Sequence, residues 1–248
     1  MAPDGTPWYV SAFDAHYPLM QTYEDAWTEV QAASVEVLLD LPPGARILDL
    51  ACGYGRHSRT WREAGHRPAG LDLSPPLLRL ARERAPGGRW ARGDMRGLPF
   101  RAGAFDAAAL LFASFGYFET RGEDTATLRE IRRVLRPGGG LYLELKNPDH
   151  LRRHLPPDGT VVLQEARVTE SSRIAPSPGG DRYEIRRLVR QPGQPERRYF
   201  YSIRLYRPEE IQESLRETGF TDVALFGDYQ GASPSPTLPR LIVTARTN

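Results

Sequence analysis

Apolar residues along this 248-residue chain occur in short runs separated by stretches with helical periodicity. The runs predict strands at residues 46–50, 68–73, 89–92, 107–112, 141–145, 223–226 and 240–245. Helices are predicted at 24–39, after the first strand, from 75, at 124–135 and at 208–219. In the first helix the predicted buried face consists of Trp27, Val30, Ser34, Val37 and Leu38. Because alternating strands and helices pack in layers, the pattern predicts an α/β fold with a seven-stranded, doubly wound sheet.

About sixty residues between the fifth strand and the last helix exceed what such a sheet requires. Strand patterns at 161–163, around Val168, and at 183–185, 186–190 and 196–206 predict a small antiparallel sheet inserted after strand five. The predicted organisation is an N-terminal segment and helix (1–40), a core (41–150), the insert (151–207), and a C-terminal part completing the core sheet (208–248).

A glycine-containing loop follows the first predicted strand. Leu50 is followed by Ala-Cys and then by Gly53-Tyr-Gly55, where the missing Cβ atoms allow a tight turn and a close approach to a ligand. The next helix directs free amide groups into the same crevice. A dinucleotide fingerprint needs a third glycine where this chain has Ser58, so support for a bound pyrophosphate is weak.

Acidic residues follow the next two strands. Asp72 ends the second strand and can accept hydrogen bonds from both hydroxyls of a ribose, with Leu73 beside it. Asp94 follows the third strand and is placed to accept from an adenine amino group, with Met95 against the ring. One carboxylate for ribose and one for adenine, without a pyrophosphate cradle, indicate an adenosine ligand without phosphates.

Four motifs stand in order between residues 41 and 145: Asp49-x-Ala-Cys-Gly-x-Gly, Gly70-Leu71-Asp72-Leu73-Ser74, Gly93-Asp94-Met95 and Leu135-Arg136-Pro137-Gly138-Gly139. Together they resemble the ordered motifs of class I S-adenosylmethionine (SAM)-dependent methyltransferases. The resemblance implies a Rossmann-like fold, SAM as methyl donor, S-adenosylhomocysteine (SAH) as product, and transfer to a nitrogen or oxygen nucleophile of a small molecule. With the reasoning above, it assigns the cofactor to Tyr17, Ala51, Gly53, Gly55, Asp72, Leu73, Asp94, Met95 and Leu111.

Two residues are candidates for the chemistry. Tyr117 follows strand four, at the edge where such sheets place their ligands, and is predicted to lie next to the nucleophile. Core and insert together resemble the amino-sugar N-methyltransferases, which commonly have a histidine near this place, so the tyrosine suits orienting the acceptor better than deprotonating it. His57 is predicted to contact the methionyl carboxylate or to cap its helix. The aromatic N-terminal segment, with Tyr17, is by the same resemblance a lid over the cofactor.

Composition limits the alternatives. No apolar run reaches the ~18 residues of a membrane helix, and the start of the chain lacks a signal-peptide pattern. Cys52 is the only cysteine, which excludes intrachain disulfides and thiolate metal clusters, and no other metal-ligand pattern occurs. We therefore expect a cytoplasmic enzyme without a metal, acting as a monomer or homodimer.

Charge leaves one alternative partner open. The formal net charge of +2 gives no general attraction to nucleic acid, and Lys146 is the only lysine. The insert, however, holds twelve arginines against six acidic residues, a formal charge of +6. A tRNA-modifying methyltransferase with the insert on phosphates is therefore the second hypothesis, and a SAM-binding module without turnover is the third.

Overall fold

The structure is a computed structural model that describes residues 6–20, 25–163 and 165–248. Glu24, the predicted first residue of the long N-terminal helix, lies outside the described residues. The helices are α1 (Trp8–Ser11), α2 (Asp25–Leu38), α3 (Arg56–Glu63), α4 (Pro75–Arg84), α5 (Arg121–Val134), α6 (Pro148–Arg153) and α7 (Pro208–Glu217), with a short 3-10 helix at Tyr17–Met20. The strands are β1 (Arg46–Leu50), β2 (Arg67–Asp72), β3 (Arg89–Arg92), β4 (Phe105–Leu110), β5 (Leu135–Lys146), β6 (Gly159–Leu163), β7 (Ala166–Ala175), β8 (Arg182–Arg190), β9 (Arg197–Arg204), β10 (Phe220–Phe226) and β11 (Arg240–Thr247).

Seven strands form the core sheet in the order β10-β11-β5-β4-β1-β2-β3, which confirms the predicted fold. β11 runs antiparallel to β5 and β10, whereas the other neighbours are parallel. One apolar cluster lies under α5 and α7, and a second one lies under α2 and α3 on the opposite face. The carboxyl ends of β1, β2 and β4 therefore meet at one edge, which is where an open α/β sheet binds its ligand.

The insert is a four-stranded antiparallel sheet in the order β6-β7-β8-β9, as predicted. The two segments predicted as strands at 183–185 and 186–190 are one continuous strand, β8. One face of this sheet packs on the N-terminal segment through an apolar cluster that includes Trp8, Val168, Val189 and Tyr201. The insert and the N-terminal segment therefore stand together above the ligand edge of the core.

Three of the five residues predicted on the buried face of α2 are exposed: Trp27 (51%), Val37 (74%) and Val30. Ser34 is buried as predicted, and Leu38 is partly buried against the core. The helix also buries Thr28, Gln31, Ala32 and Val35, so its inner side is more polar than predicted. Hydrophobic spacing alone therefore placed the buried face only in part.

One helix boundary differs from the prediction, and one helix was not predicted. α5 begins at Arg121 rather than Asp124, because Thr120 and Glu123 form a reciprocal capping box at its start. α6 was not predicted; the Asn147 side chain accepts hydrogen bonds from the amides of Asp149 and His150, and Pro148 follows it at the first helical position.

Candidate active site

A cavity at the carboxyl edge of the core sheet brings together ten of the eleven predicted site residues. Its walls are the loop after β1, the ends of β2 and β4, the loop after β3, and the N-terminal segment. The predicted residues that line it are Tyr17, Ala51, Gly53, His57, Asp72, Leu73, Asp94, Met95, Leu111 and Tyr117. Residues far apart in the sequence therefore converge on one crevice.

Gly55, the eleventh predicted residue, has a packing role. It has a left-handed φ of 79° at the start of α3, and a Cβ there would overlap the Trp90 ring. Gly53, with φ 56°, is the glycine of the loop that faces the cavity. Gly55 thus allows close packing against Trp90, and Gly53 leaves the backbone open to a ligand.

Asp72 is fixed by the glycine loop. One carboxylate oxygen accepts the Gly53 amide and the other the Ser74 amide, both at 2.8 Å. Burial raises the pKa of Asp72, and these backbone donors oppose that shift. Each oxygen retains a lone pair, so the carboxylate can accept one more donor on each side. A buried acceptor pair of this kind suits the two adjacent hydroxyls of a ribose.

Asp94 is an ionised carboxylate on the same wall. It accepts hydrogen bonds from the Arg96 backbone amide at 2.9 Å and from the Arg96 guanidinium at 2.6 Å. These bonds outweigh desolvation, so the pKa of Asp94 lies below its ordinary value. Arg96 itself stacks over Phe118, 4.4 Å from the ring centroid, and this holds the carboxylate and an aromatic wall together.

Asp49 and Arg56 flank the glycine loop and were not predicted as site residues, although both line the cavity. Asp49 is buried, and its Oδ2 accepts the Ser58 hydroxyl at 2.7 Å and the Ser58 amide at 3.2 Å. Desolvation raises the pKa of Asp49 to about 7. Arg56 donates to the Thr28 hydroxyl at 2.7 Å and lies 4.7 Å from the Phe112 ring centroid. The cavity therefore holds an acid and a cation at one end.

His57 lies in the first turn of α3 and is buried. Its Nε2 is 2.8 Å from the side-chain oxygen of Gln31, whose amide nitrogen donates to the Tyr229 hydroxyl at 2.9 Å. Tyr229 donates to Oε1 of Glu144, and the Arg240 guanidinium donates to both groups. The other oxygen of Glu144 accepts the Phe112 amide at 3.1 Å.

This polar network fixes the state of His57. Because Tyr229 gives its proton to a carboxylate, it can only accept from Gln31, and this orients the Gln31 oxygen toward the imidazole. Nε2 therefore carries the proton and Nδ1 is an acceptor. Desolvation, with Arg56 acting in the same direction, lowers the pKa of His57 well below its ordinary value, so the ring is neutral. A neutral ring donating at Nε2 offers the cavity an acceptor and no cation.

The loop after β4 forms the opposite wall. The strand ends at Leu110, and Phe112 and Ala113 both adopt positive φ, 59° and 55°. The Phe112 and Ala113 amides bond to the side chain and the backbone of Glu144, so β5 holds this uncommon conformation. The predicted strand to residue 112 is therefore two residues too long, and the released backbone lines the cavity.

Tyr117 lies where the aromatic N-terminal segment meets the cavity. Its ring stacks on Phe13, with 5.8 Å between centroids, and meets Trp8 edge to face at 4.9 Å. Burial, followed by the neighbouring Tyr17 hydroxyl, raises the pKa of Tyr117 far above that of a free phenol. The carbonyl of Phe13 also accepts the Ser74 hydroxyl at 2.5 Å, next to Asp72. Tyr117 is thus a neutral donor under a segment fastened to the core.

A doubly wound sheet with a β insert, a glycine loop beside a ribose-type carboxylate, and an acid and a cation beyond it define a class I SAM-dependent methyltransferase. The chain belongs to this family. The methyltransferase domain family matches residues 47–139. Over 208 residues the chain is 32% identical to the dTDP-3-amino-3,4,6-trideoxy-alpha-D-glucopyranose N,N-dimethyltransferase of Streptomyces venezuelae, covering 78% of this chain and 81% of that protein.

Other relatives extend the comparison. The SAM-bound structure of an amino pentose methyltransferase from Micromonospora echinaspora, involved in calicheamicin biosynthesis, superposes with a TM-score of 0.69 at 28% identity, covering 94% of this chain and 95% of that one. The malonyl-[acyl-carrier protein] O-methyltransferase of Salmonella typhimurium is 39% identical over 113 residues, 44% of this chain and 43% of that protein. The enzyme thus uses SAM to methylate a nitrogen or oxygen of a small molecule, as the sequence predicted.

Two structural absences concern the described residues alone. Across residues 6–20, 25–163 and 165–248, none of the helices has both the length and the apolar character that crossing a bilayer requires. Over the same part of the chain, histidine, cysteine, aspartate and glutamate side chains nowhere gather in a group of three that would hold a metal ion.

Proposed function

We propose that SAM lies along the cavity with its adenosyl group between Asp72 and Asp94. The two free lone pairs of Asp72 accept the ribose hydroxyls, and Asp94 with Met95 contacts the adenine. The observation that carries this orientation is the buried Asp72, which is already held by the glycine loop and still able to accept two donors. Leu73, the residue after Asp72, lines the same part of the cavity.

The methionyl end then lies between Asp49, Arg56 and His57. Asp49 and the backbone of Ala51 and Leu111 accept from the ammonium group, and the Arg56 guanidinium binds the carboxylate. Nδ1 of His57 is an acceptor, so His57 also serves the ammonium side rather than the carboxylate contact considered from the sequence. Tyr17, on the segment above, closes this end of the cavity.

Bound SAM supplies a methyl group on a sulfonium, which is already electrophilic. The protein therefore needs to orient the nucleophile and exclude water, and alignment of this kind supplies roughly 7–11 kcal/mol of a barrier. Tyr117 is a neutral phenol that donates a hydrogen bond to the acceptor, and Trp8, Phe13 and Phe118 keep water out. In this role Tyr117 orients the acceptor, and the nucleophile enters the site in its deprotonated form.

The insert and the N-terminal segment together form the cap of the acceptor site in this proposal. The alternative of tRNA as substrate loses support, because eight of the twelve insert arginines form ion pairs. Arg182 is buried as well, and donates to backbone carbonyls of residues 116–118. An arginine that already pairs with a carboxylate contributes less to phosphate binding than an unpaired one. We therefore propose that the enzyme acts without nucleic acid.

Asp72→Asn tests the placement of the cofactor. The amide keeps the shape of the side chain but loses its charge and one acceptor, so calorimetry should show SAH binding weakened roughly 10- to 100-fold, the value of a charge-assisted hydrogen bond. Asp40→Asn, an exposed carboxylate before β1, is the matched control and should bind SAH as the wild type does. Unchanged affinity in Asp72→Asn would reject the proposed orientation.

A further inference from the structure

Lys146, the only lysine of the chain, is the last residue of β5. Side chains two residues apart on a strand share a face, so Lys146 lies on the side of Glu144 and roughly 7 Å further along the strand. Glu144 binds the backbone of Phe112, which lines the SAM cavity. The ammonium therefore extends from the ligand edge of the sheet, next to the wall after β4.

Two charged residues of the insert lie near Lys146. Glu170 and Arg187 are cross-strand partners on β7 and β8, and their side chains form an ion pair. The Arg187 guanidinium lies 5.3 Å from the ring centroid of Tyr201, which packs against Phe13 of the N-terminal segment. Lys146 remains solvent-accessible, yet surrounding atoms desolvate it enough to lower its pKa, with Arg240 and Arg187 opposing Glu144 and Glu170. Lys146 is therefore an exposed cation near charged groups of the core sheet and of the insert.

The two carboxylates near Lys146 are already engaged. Glu144 accepts from Tyr229 and Arg240 through one oxygen and from the Phe112 amide through the other. Glu170 accepts from Arg187. Within the described residues, the Lys146 ammonium has neither a hydrogen-bond acceptor nor an ion-pair partner. This group of residues has three cations and two carboxylates. Arg187 pairs with Glu170 and Arg240 pairs with Glu144, so the excess positive charge lies on Lys146.

We propose that Lys146, assisted by Arg187, binds an anionic group of the methyl acceptor, a phosphate ester or a carboxylate. The anion would lie between β5 and the insert, and the rest of the acceptor would extend past Tyr201 and Tyr117 toward the methyl group. This inference rests on the proposed function, since it needs the acceptor to enter between the insert and the SAM cavity. It names the acceptor class as small molecules that carry an acidic group apart from their nucleophile.

Calorimetric titration of the SAH-saturated protein with inorganic phosphate, pyrophosphate and malonate tests this site. Lys146→Met should bind the preferred anion roughly tenfold or more weakly, because one hydrogen bond to a charged group is lost. Lys146→Arg keeps the charge and should stay within about threefold of the wild type. Arg89→Met, an exposed cation at the opposite edge of the sheet, removes the same charge and should change nothing. Stronger binding of the phosphates assigns phosphate esters, and stronger binding of malonate assigns carboxylic acids.

SAH affinity measured on the same samples separates this inference from the proposed function. Normal SAH binding with equal anion affinity in Lys146→Met and wild type overturns the anion site alone. Absence of binding for every anion in the wild type overturns it too, as does an equal loss in Arg89→Met. A wild-type protein that binds the anions but not SAH contradicts the placement of the cofactor instead.

Discussion

At the residue scale, burial and neighbouring groups shift the pKa values of the cavity residues. Desolvation lowers the pKa of His57 and so keeps its ring neutral, and it raises the pKa of Tyr117, a phenol that is uncharged near pH 7 in any case. Asp94, which has Arg96 beside it, stays ionised. Asp49 lies between these cases, because Ser58 and Arg56 only partly offset its burial. The acid-base behaviour of the site should therefore depend mostly on Asp49.

The pKa of Asp49, about 7 in the free protein, predicts a pH dependence of cofactor binding. In the proposed placement the ammonium group of SAH binds the ionised carboxylate, so protonation of Asp49 should compete with binding. SAH affinity should be nearly constant above pH 8 and should fall as the pH drops through 7, by up to about tenfold per pH unit. Calorimetry between pH 5.5 and 8.5 measures this. The free energy of unfolding should have the opposite pH dependence in the protein without SAH. Because the pKa of Asp49 is raised in the folded state, its contribution to stability increases as the pH falls below 7.

Asp49→Asn is the control, since its side chain is neutral throughout this range and has almost the same shape. The variant should bind SAH more weakly than the wild type at pH 8 and should lose the change in affinity around pH 7. Asp72, whose pKa is also raised, is still present in the variant, so any dependence that remains belongs to Asp72. A wild-type affinity that is flat from pH 8 to pH 6 contradicts the role given to Asp49.

Tyr229 is a second residue whose effect on SAH binding can be predicted, although it does not line the cavity. Its hydroxyl joins Gln31, Glu144 and Arg240, and Tyr229→Phe leaves all three short of a partner. We expect a loss of about 1–3 kcal/mol in the free energy of unfolding, measured in urea. We also expect weaker SAH binding, because Gln31 no longer fixes the protonated nitrogen of His57.

Tyr142→Phe is the matched control for that effect. The Tyr142 hydroxyl is also buried and also bonds to α2, at Ser34 (3.0 Å), but it has no bond to Gln31. Both variants should lose stability, and only Tyr229→Phe should lose SAH affinity. Equal SAH affinity in the two variants would show that the network has a structural role alone.

At the element scale, local signals predicted most of the fold and part of the site. The β1 run, the glycine loop and Asp72 lie within a short span, so periodicity and turn chemistry were enough to place them. The buried side of α2 was predicted only in part, because Gln31 is buried by a partner 198 residues away. A pattern of apolar residues carries no information about such partners. The same reason explains why the Glu144 network was missed.

Asp49 and Arg56 show a different kind of omission. Asp49 begins the glycine-loop motif and Arg56 directly follows it, but the sequence does not show that both residues line the cavity. Gly55 is the opposite case. It belongs to the same motif and was predicted to bind the cofactor, but it packs against Trp90, thirty-five residues later, and does not line the cavity. Motif membership thus identified the region of the site, and packing decided the role of each residue.

At the scale of the whole molecule, a buried ion pair joins the insert to the core. Arg204 of β9 bonds Asp124 of α5 at 3.0 Å, and their side chains are 1% and 2% exposed. Arg204 also donates to the carbonyls of Glu119 and Gly179, and Tyr206 donates to Asp124 at 2.6 Å. The insert, which we propose as the cap of the acceptor site, is therefore held on the core by a buried ion pair.

This connection predicts that Arg204→Met will strongly destabilise the protein. Removing one partner leaves the Asp124 carboxylate buried without its cation, which should cost about 3–5 kcal/mol of unfolding free energy in urea. The double variant Arg204→Met/Asp124→Leu removes both charges and should recover much of that loss. Arg190→Met breaks an exposed pair with Glu196, where the arginine side chain is 58% exposed, and should cost less than about 1 kcal/mol. If Arg204→Met costs no more than Arg190→Met, the buried pair does not hold the insert on the core.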